Sequence, residues 1–218
     1  MQGRLAERTY NRAHPTLDAT ASADIIQDCG TIIMRVIAGK AKGHRLKSLR
    51  SSGLRPTSDL LRGAIFNMLE STATDWSRVL DLYAGTGALG IEALSRGAEW
   101  ADFVERNPKL CSVIKENLGH TGLASQGAVL CMTANKALSI LKERYGILLL
   151  DPPYADPSVA TTAEKLSCSR LVGEGSTIVI EHSRRVPLQE RYGDFKQIKS
   201  LRHGDSCVSV YQYAGGEP

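Results

Sequence analysis

The chain has no pair of cysteines spaced for a metal knuckle or a redox CxxC motif. Its five cysteines, Cys29, Cys111, Cys131, Cys168 and Cys207, are odd in number and scattered. That spacing excludes a disulfide framework and a zinc site, so no metal is expected. The cysteines are expected to be small buried apolar residues in a reducing cytoplasm. Long apolar runs are also missing: stretches such as Ile147–Leu150 and those around Ile32 and Val36 are short. A membrane-spanning helix needs about 20 such residues, so none is expected. The first 33 residues mix Arg4, Arg8 and Arg12 with Glu7, Asp18, Asp24 and Asp28 and hold no apolar core, which argues against a secretory signal. There is no internal repeat and no low-complexity tract. A large charge excess is absent too: 27 Lys and Arg against 23 Asp and Glu leave +4, which excludes a histone-like tail and an acidic disordered chain. The chain is left as 218 residues, 42% hydrophobic and 23% charged, the composition of one globular domain able to bury its own core.

Residues 1–33 show no sustained periodicity and are expected to be a disordered leader, or an over-extended reading frame upstream of a start at Met34. From Met34 the pattern changes. Arg35–Ala38 and His44–Lys47 alternate on either side of a Gly39–Gly43 turn, which predicts a small β-hairpin. A helix capped by Thr57 or Ser58 comes next, to about Glu70, with Leu61, Ile65, Met68 and Leu69 on its apolar face. Between Met34 and Arg62 there are eight Lys and Arg and one acid, a local +7 that leaves −3 for the rest of the chain. Residues 34–70 therefore read as a basic extension and 71–218 as the main domain.

That domain alternates strands and helices. Strands are predicted at Val79–Tyr83, Ala101–Val104, Ala128–Met132, Ile147–Leu150 and Thr177–Glu181. Helices are predicted at Ala88–Arg96, Lys109–Leu118, Ala134–Lys142 and Ser158–Leu171. Phe195–Leu201 and Cys207–Tyr213 form a predicted antiparallel pair at the sheet edge. The pattern is that of an α/β, doubly wound, mostly parallel, seven-stranded Rossmann-like sheet with strand order 3-2-1-4-5 through its parallel part.

Two motifs sit at strand ends. Gly85-Thr86-Gly87-Ala88-Leu89-Gly90 fits GxGxxG between a strand and a helix, where backbone approaches a ligand closely. Asp81, four residues earlier, would repel a pyrophosphate but attract an ammonium and a sulfonium, the charges of S-adenosylmethionine. Glu105 ends the second strand, where an acid accepts ribose hydroxyls of either cofactor class. Asp151-Pro152-Pro153-Tyr154 comes directly after the fourth strand. In a sheet of this order it faces the glycine loop across one crevice. An Asp151 carboxylate and a Pro152 carbonyl can accept the two N–H groups of an exocyclic amine and aim its lone pair at a methyl donor. The prolines stiffen the turn and remove competing donors, and Tyr154 offers a ring to a flipped base. His182 and His203 have no metal-type companions and read as structural or surface residues.

The combination of Met34-Arg35-Val36-Ile37-Ala38-Gly39, Gly53-Leu54-Arg55-Pro56-Thr57, Phe66-Asn67 and Leu80 to Ala98 resembles the RsmD family of 16S ribosomal RNA guanine-N2 methyltransferases, over Met34 to about Tyr213. The resemblance implies a monomeric, cytoplasmic, S-adenosylmethionine-dependent enzyme acting on 16S rRNA or the small ribosomal subunit. It implies that Asp81, Tyr83, Gly85, Gly87, Glu105, Arg106, Thr133 and Ala134 surround the cofactor. It also implies that Asp151, Pro152, Pro153 and Tyr154 take the target base, and that Arg35, Lys40, Lys42, Arg45, Lys47, Arg50 and Arg55 grip RNA phosphates. The chain departs from the family pattern at Thr133, where an Asp or Asn is usual, and at Leu60 and Gly63, where an arginine and a glutamate are common. Three other readings compete: a DNA adenine-N6 or cytosine-N4 methyltransferase, a nicotinamide-dependent oxidoreductase, and a non-catalytic RNA-binding factor.

Overall fold

The structure, a computed structural model, describes residues 34–48, 59–153 and 156–215. The leader 1–33, the loop with Arg50, Arg55 and Thr57, and Tyr154 lie outside the described residues. The elements in chain order are β1 (Met34–Arg35), β2 (Arg45–Leu46), α1 (Asp59–Thr72), β3 (Arg78–Asp81), α2 (Ala88–Ser95), β4 (Trp100–Glu105), α3 (Pro108–His120), β5 (Gly127–Cys131), α4 (Ala134–Ile140), β6 (Ile147–Leu150), α5 (Val159–Ser167), β7 (Thr177–Ser183), β8 (Arg191–Tyr192), β9 (Phe195–His203) and β10 (Ser206–Tyr213).

The main sheet runs β5-β4-β3-β6-β7-β10-β9-β8. Its first five strands are parallel, and β10 is antiparallel to both β7 and β9. This is the expected order with one strand added. The addition, β8, is two residues long and folds back on β9 through a tight turn at Gly193, whose φ of 54° suits glycine. Strand β6, Ile-Leu-Leu-Leu, is buried along its whole length, as a central parallel strand between two helical layers must be.

Alternate side chains of the central strands feed two cores. Val79, Ile147 and Leu149 face the layer of β1–β2, α1, α2 and α3, with Met34, Val36, Phe66, Ile91, Leu94 and Ile114. Leu80, Leu148 and Leu150 face the layer of α4 and α5, with Ala137, Ala163, Leu166 and Tyr211. Helix α2 lies close on β4: a Cβ added to Gly90 would stand 2.3 Å from the Phe103 ring. Helix α3 starts where Asn107 accepts the Lys109 N–H at 3.0 Å, with Pro108 at its first turn.

The hairpin is shorter than its alternation suggests, because α2 takes its backbone groups. Glu92 Oε2 accepts the Ile37 N–H at 2.7 Å, and Oε1 accepts the Ala38 N–H at 3.0 Å. Ser95 Oγ donates to the Ala38 carbonyl at 2.5 Å and accepts the Ala41 N–H at 2.9 Å. The Ser95 carbonyl accepts the Lys40 N–H at 2.8 Å. Gly39, at φ 80°, fits under this clamp only because it has no side chain: a Cβ would lie 1.8 Å from the Ser95 oxygen. Beyond β1 and β2 only Val36 still bonds across the hairpin, its N–H donating to the His44 carbonyl at 3.0 Å and its carbonyl accepting the Gly43 N–H at 2.9 Å.

Other differences have local causes. Helix α5 stops at Ser167 rather than Leu171, where Ser167 and Ser169 hydroxyls donate to the Glu164 and Leu166 carbonyls and compete with the helical ladder. Helix α4 stops at Ile140 because Leu141 turns extended. Arg62, counted in the basic stretch, is buried on the inner face of α1. Of the described cysteines only Cys111 is buried; Cys131 ends an edge strand, Cys168 caps α5, and both are exposed, with Cys207 between. Among the described residues no helix is long and apolar enough to cross a membrane.

Candidate active site

Parallel strands deliver their outgoing loops to one rim, and that is where the motifs meet. Asp81 lies beside Phe103 on β4 and Leu149 on β6, and Leu82 N–H donates to the Leu149 carbonyl at 2.9 Å. The glycine loop and the Asp151-Pro152-Pro153 segment therefore leave adjacent strands, about 4.8 Å apart. On the other side of β3, Ala84 N–H donates to the Val104 carbonyl at 3.0 Å, which brings the loop alongside Glu105. Glu105 pairs with Cys131, and Thr133 comes two residues later. Asp81, Gly85, Gly87, Glu105, Thr133 and Asp151 are thus collected on the rim of four neighbouring strands.

Asp81 is buried, and its Oδ2 accepts the Gly90 N–H at 2.9 Å. Its Oδ1 is buried and has no hydrogen-bond partner. Burial pushes this carboxyl up to about 7, helped by the nearby Glu105 charge and opposed by the Gly90 hydrogen bond. Gly85 and Gly87 have φ of 55° and 81°, so glycine is required at both. A Cβ at Gly85 would meet nothing within 4 Å, so one side of the loop is open to a ligand. At Gly87 it would press on Ile114 at 3.1 Å.

Glu105 is half-buried. Its Oε2 accepts the Gly85 N–H at 3.0 Å and its Oε1 the Asn107 N–H at 2.8 Å. Each carboxylate oxygen has a second lone pair, which leaves room for two hydroxyl donors. Thr133 caps α4 by accepting the Lys136 N–H at 3.3 Å, and its own hydroxyl hydrogen is still available to donate. Ala134 opens that helix, half-buried, and Arg106 is exposed beyond Glu105. Tyr83 turns its hydroxyl to Thr162 on α5, 3.3 Å away, and packs against the core on the α4 and α5 side; burial raises its phenol above the ordinary value.

Asp151 is half-buried, Pro152 buried and Pro153 exposed. The segment is closed by a turn in which Asp156 N–H donates to the Pro153 carbonyl at 3.0 Å, while Asp156 Oδ1 accepts the Ser158 N–H at 2.9 Å ahead of α5. Strand β6 therefore fixes the segment on its N-terminal side, directly before Asp151.

The described basic residues of 34–47 are all exposed but not equally available. Arg35 stands 3.4 Å from Asp59, Lys47 pairs with Glu116 at 2.5 Å, and Lys40 donates to Gln126 at 2.6 Å. Lys42 and Arg45 have no ion pair among the described residues. Sequence reasoning missed the tie between this segment and the glycine loop. Asn117 on α3 accepts the Lys47 N–H at 2.8 Å and donates to the Lys47 carbonyl at 3.1 Å and the Thr86 carbonyl at 2.9 Å. The available signal was a polar residue in the apolar stripe Leu110, Val113, Ile114, Leu118.

Comparison with known proteins identifies relatives along most of the chain. The family profile described as Conserved hypothetical protein 95 matches residues 34–212. The Bacillus subtilis protein YlbH is 37% identical over 185 residues, 84% of this chain and 100% of its own. Ribosomal RNA small subunit methyltransferase D of Escherichia coli K12 is 32% identical over 148 residues, 68% of this chain and 74% of its own. The solved structure of Escherichia coli yhhF superposes with a TM-score of 0.74 at 27% identity, covering 84% of this chain and 99% of that one. The chain, matched over 34–212, belongs to the Conserved hypothetical protein 95 family, the RsmD-type methyltransferases.

Proposed function

We propose that this enzyme methylates the exocyclic N2 amine of a guanine in small-subunit ribosomal RNA, as a monomer in the cytoplasm, with S-adenosylmethionine as donor. The observation that carries the reading is the meeting of an orphaned buried carboxylate, an open glycine loop and a proline-stiffened carboxylate on adjacent strands. S-adenosylmethionine, when bound, supplies an electrophilic methyl on a sulfonium. Asp81 Oδ1 is placed to accept its ammonium, Glu105 its ribose hydroxyls, and Thr133 one edge of its adenine. Asp151 and the Pro152 carbonyl hold the amine by its two N–H groups. Asp151 would hold the nitrogen lone pair toward that methyl, and it or water would take up the proton that the alkylated nitrogen sheds. No strong base is needed, because the amine becomes acidic as it is alkylated. Tyr154 is assigned the face of the base on sequence alone. The basic segment 34–47, with Arg50 and Arg55 beyond it, holds phosphates.

The test is labelled-methyl transfer to protein-free RNA and to isolated small subunits, followed by nucleoside mass analysis. N2-methylguanosine is the expected product. N6-methyladenosine in DNA would replace the reading, and no transfer to any nucleic acid would remove it.

Asp81 gives the site a pH signature. With its carboxyl at about 7, a cationic ligand must bind the ionised form and expel a proton below that pH. Affinity for S-adenosylhomocysteine, which carries the same ammonium, is expected to rise up to about tenfold per pH unit below 7 and then level off. Stability runs the other way. The raised value favours the protonated folded state, so Asp81 costs stability increasingly from about pH 4 to 7. Asp81→Asn is expected to flatten the affinity profile in calorimetry and to melt higher than the unmodified chain at pH 8, with little difference at pH 4. An affinity profile unchanged by the substitution would remove Asp81 from the ammonium site.

A further inference from the structure

We propose that a second cationic surface, formed by Arg184, Arg185 and Arg202 where β7 and β9 end, docks RNA phosphates on the side of the catalytic segment opposite the N-terminal hairpin. The inference rests on the reading of the site as an RNA methyltransferase and adds a substrate-binding surface to it.

Sheet geometry places these residues. β7 runs parallel to β6, so Arg184 and Arg185, just after Ser183, leave the sheet at the same rim as Asp151. β9 is antiparallel to β10, which is antiparallel to β7, so β9 ends at that rim as well. The register aligns Arg202 with Cys207 and Cys207 with His182; it aligns His203 with Ser206 and Ser206 with Ser183. β7 is one strand spacing from β6 and β9 is three, so the cluster extends from about 5 to about 14 Å sideways from the catalytic strand. The hairpin instead packs on α2 and α3, beyond the glycine loop.

The rim backbone is fixed. Arg184 N–H donates to the Asp205 carbonyl at 2.9 Å, and Arg185 N–H to Ser183 Oγ at 3.2 Å. His182 Nδ1 lies 2.9 Å from the Val186 carbonyl, and Nε2 lies 3.1 Å from Ser209 Oγ. The imidazole therefore spans β7 and β10 beneath the cluster, which gives His182 its structural role. The side chains above are exposed, and among the described residues none of the three guanidinium groups has an ion pair or hydrogen bond. Asp205 is the exposed acid at this rim, against three arginines and the exposed His203. The hairpin differs, since Arg35 and Lys47 each face a carboxylate. Three unpaired guanidinium groups on a rigid edge suit phosphate oxygens, which they can hold through two N–H groups each. An RNA strand whose base reaches Asp151 would thus be gripped on both flanks.

The test compares Arg184→Glu/Arg185→Glu/Arg202→Glu with Arg184→Lys/Arg185→Lys/Arg202→Lys, after melting curves establish that both fold. The glutamate variant is expected to raise the KM for RNA at least tenfold with kcat within about twofold. It should reduce the salt slope of RNA binding by about 2, the loss of three single-strand phosphate contacts, and leave S-adenosylhomocysteine affinity unchanged. The lysine variant should retain most of the affinity. Unchanged KM and slope in the glutamate variant would overturn the inference while wild-type transfer leaves the proposed function standing. Absence of wild-type transfer would instead strike the proposed function. Loss confined to assembled particles, with protein-free RNA bound normally, would assign the rim to a ribosomal protein and also overturn it.

Discussion

Asp151→Ala is expected to lower kcat by about 10²–10³-fold, the size of effect seen when one positioned electrostatic partner of a transition state is removed. The expectation comes from its setting. Asp151 is the first residue after β6, whose four residues are all buried, and it precedes a buried proline, which has no N–H to compete for the carboxylate and whose carbonyl is already assigned to the amine's other N–H. Its loss removes an acceptor that no neighbouring backbone group can replace. Asp151→Asn keeps the shape but can present an N–H where an acceptor is needed, so it should recover only part of the rate. S-adenosylhomocysteine affinity should stay within about threefold in both, because Asp81 and Glu105 stand on other strands. Single-turnover transfer and calorimetry on the same samples separate the two effects. Turnover within about threefold of the unmodified enzyme would take Asp151 out of the reaction.

Glu92→Ala is expected to be the most damaging substitution for stability, at about 3–5 kcal/mol. Glu92 is fully buried, accepts three hydrogen bonds and neutralises a further cation. The donors are the backbone N–H groups of Ile37 and Ala38 and Arg96 Nε at 2.8 Å; Arg62 Nε stands 4.0 Å away as an ion pair without a hydrogen bond. Arg62 is itself fully buried, donating through Nη2 to the Arg35 carbonyl at 2.5 Å and to Asp59 at 2.8 Å, with no hydrogen bond at Nε or Nη1. Burial pulls this guanidinium below its ordinary value, and Asp59 and Glu92 oppose the pull. Without Glu92 two amides and Arg96 Nε lose their acceptor, and buried Arg62 loses a counter-charge. The urea midpoint should fall by roughly 1–2 M. Glu92→Gln, which retains one acceptor oxygen, should lose less. A cost below about 1 kcal/mol would show that the carboxylate is not the anchor of the hairpin.

The two motifs were legible in the sequence because each is contiguous and lies at the end of an apolar run. Val79–Leu82 and Ile147–Leu150 announce buried parallel strands, and the loops leaving such strands must gather at one rim. The order of the parallel strands came from crossover rules alone. The clamp on the hairpin was not legible, because it joins Glu92 and Ser95 to residues more than fifty positions earlier. Within α2 these two polar residues look like an exposed face, although nearly every residue of that helix is buried. Arg62 misled for the same reason: an arginine on a helix is counted as surface charge until its partners are known. Helix α5 was overextended because apolar spacing continues to Leu171, while the serines that end it act through backbone competition that spacing does not record. The rim arginines are separated by a turn and two strands in the chain, and only the antiparallel register brings Arg202 level with His182, across β10, at the β7 exit.

Glu92, Ser95 and Arg96 occupy positions i, i+3 and i+4 of α2, the helix that opens at the glycine loop. Angular phase along this one helix therefore sets where the hairpin hangs relative to the cofactor loop. A single residue inserted between Gly90 and Glu92 would turn the clamp by about 100° while leaving Gly90 against Phe103. The sheet and the glycine loop could absorb such an insertion, but the hairpin would lose its anchors on α2 at once and hold only its ties to α1, α3 and Gln126. The eight-residue helix therefore has no freedom of length between the glycine loop and the clamp.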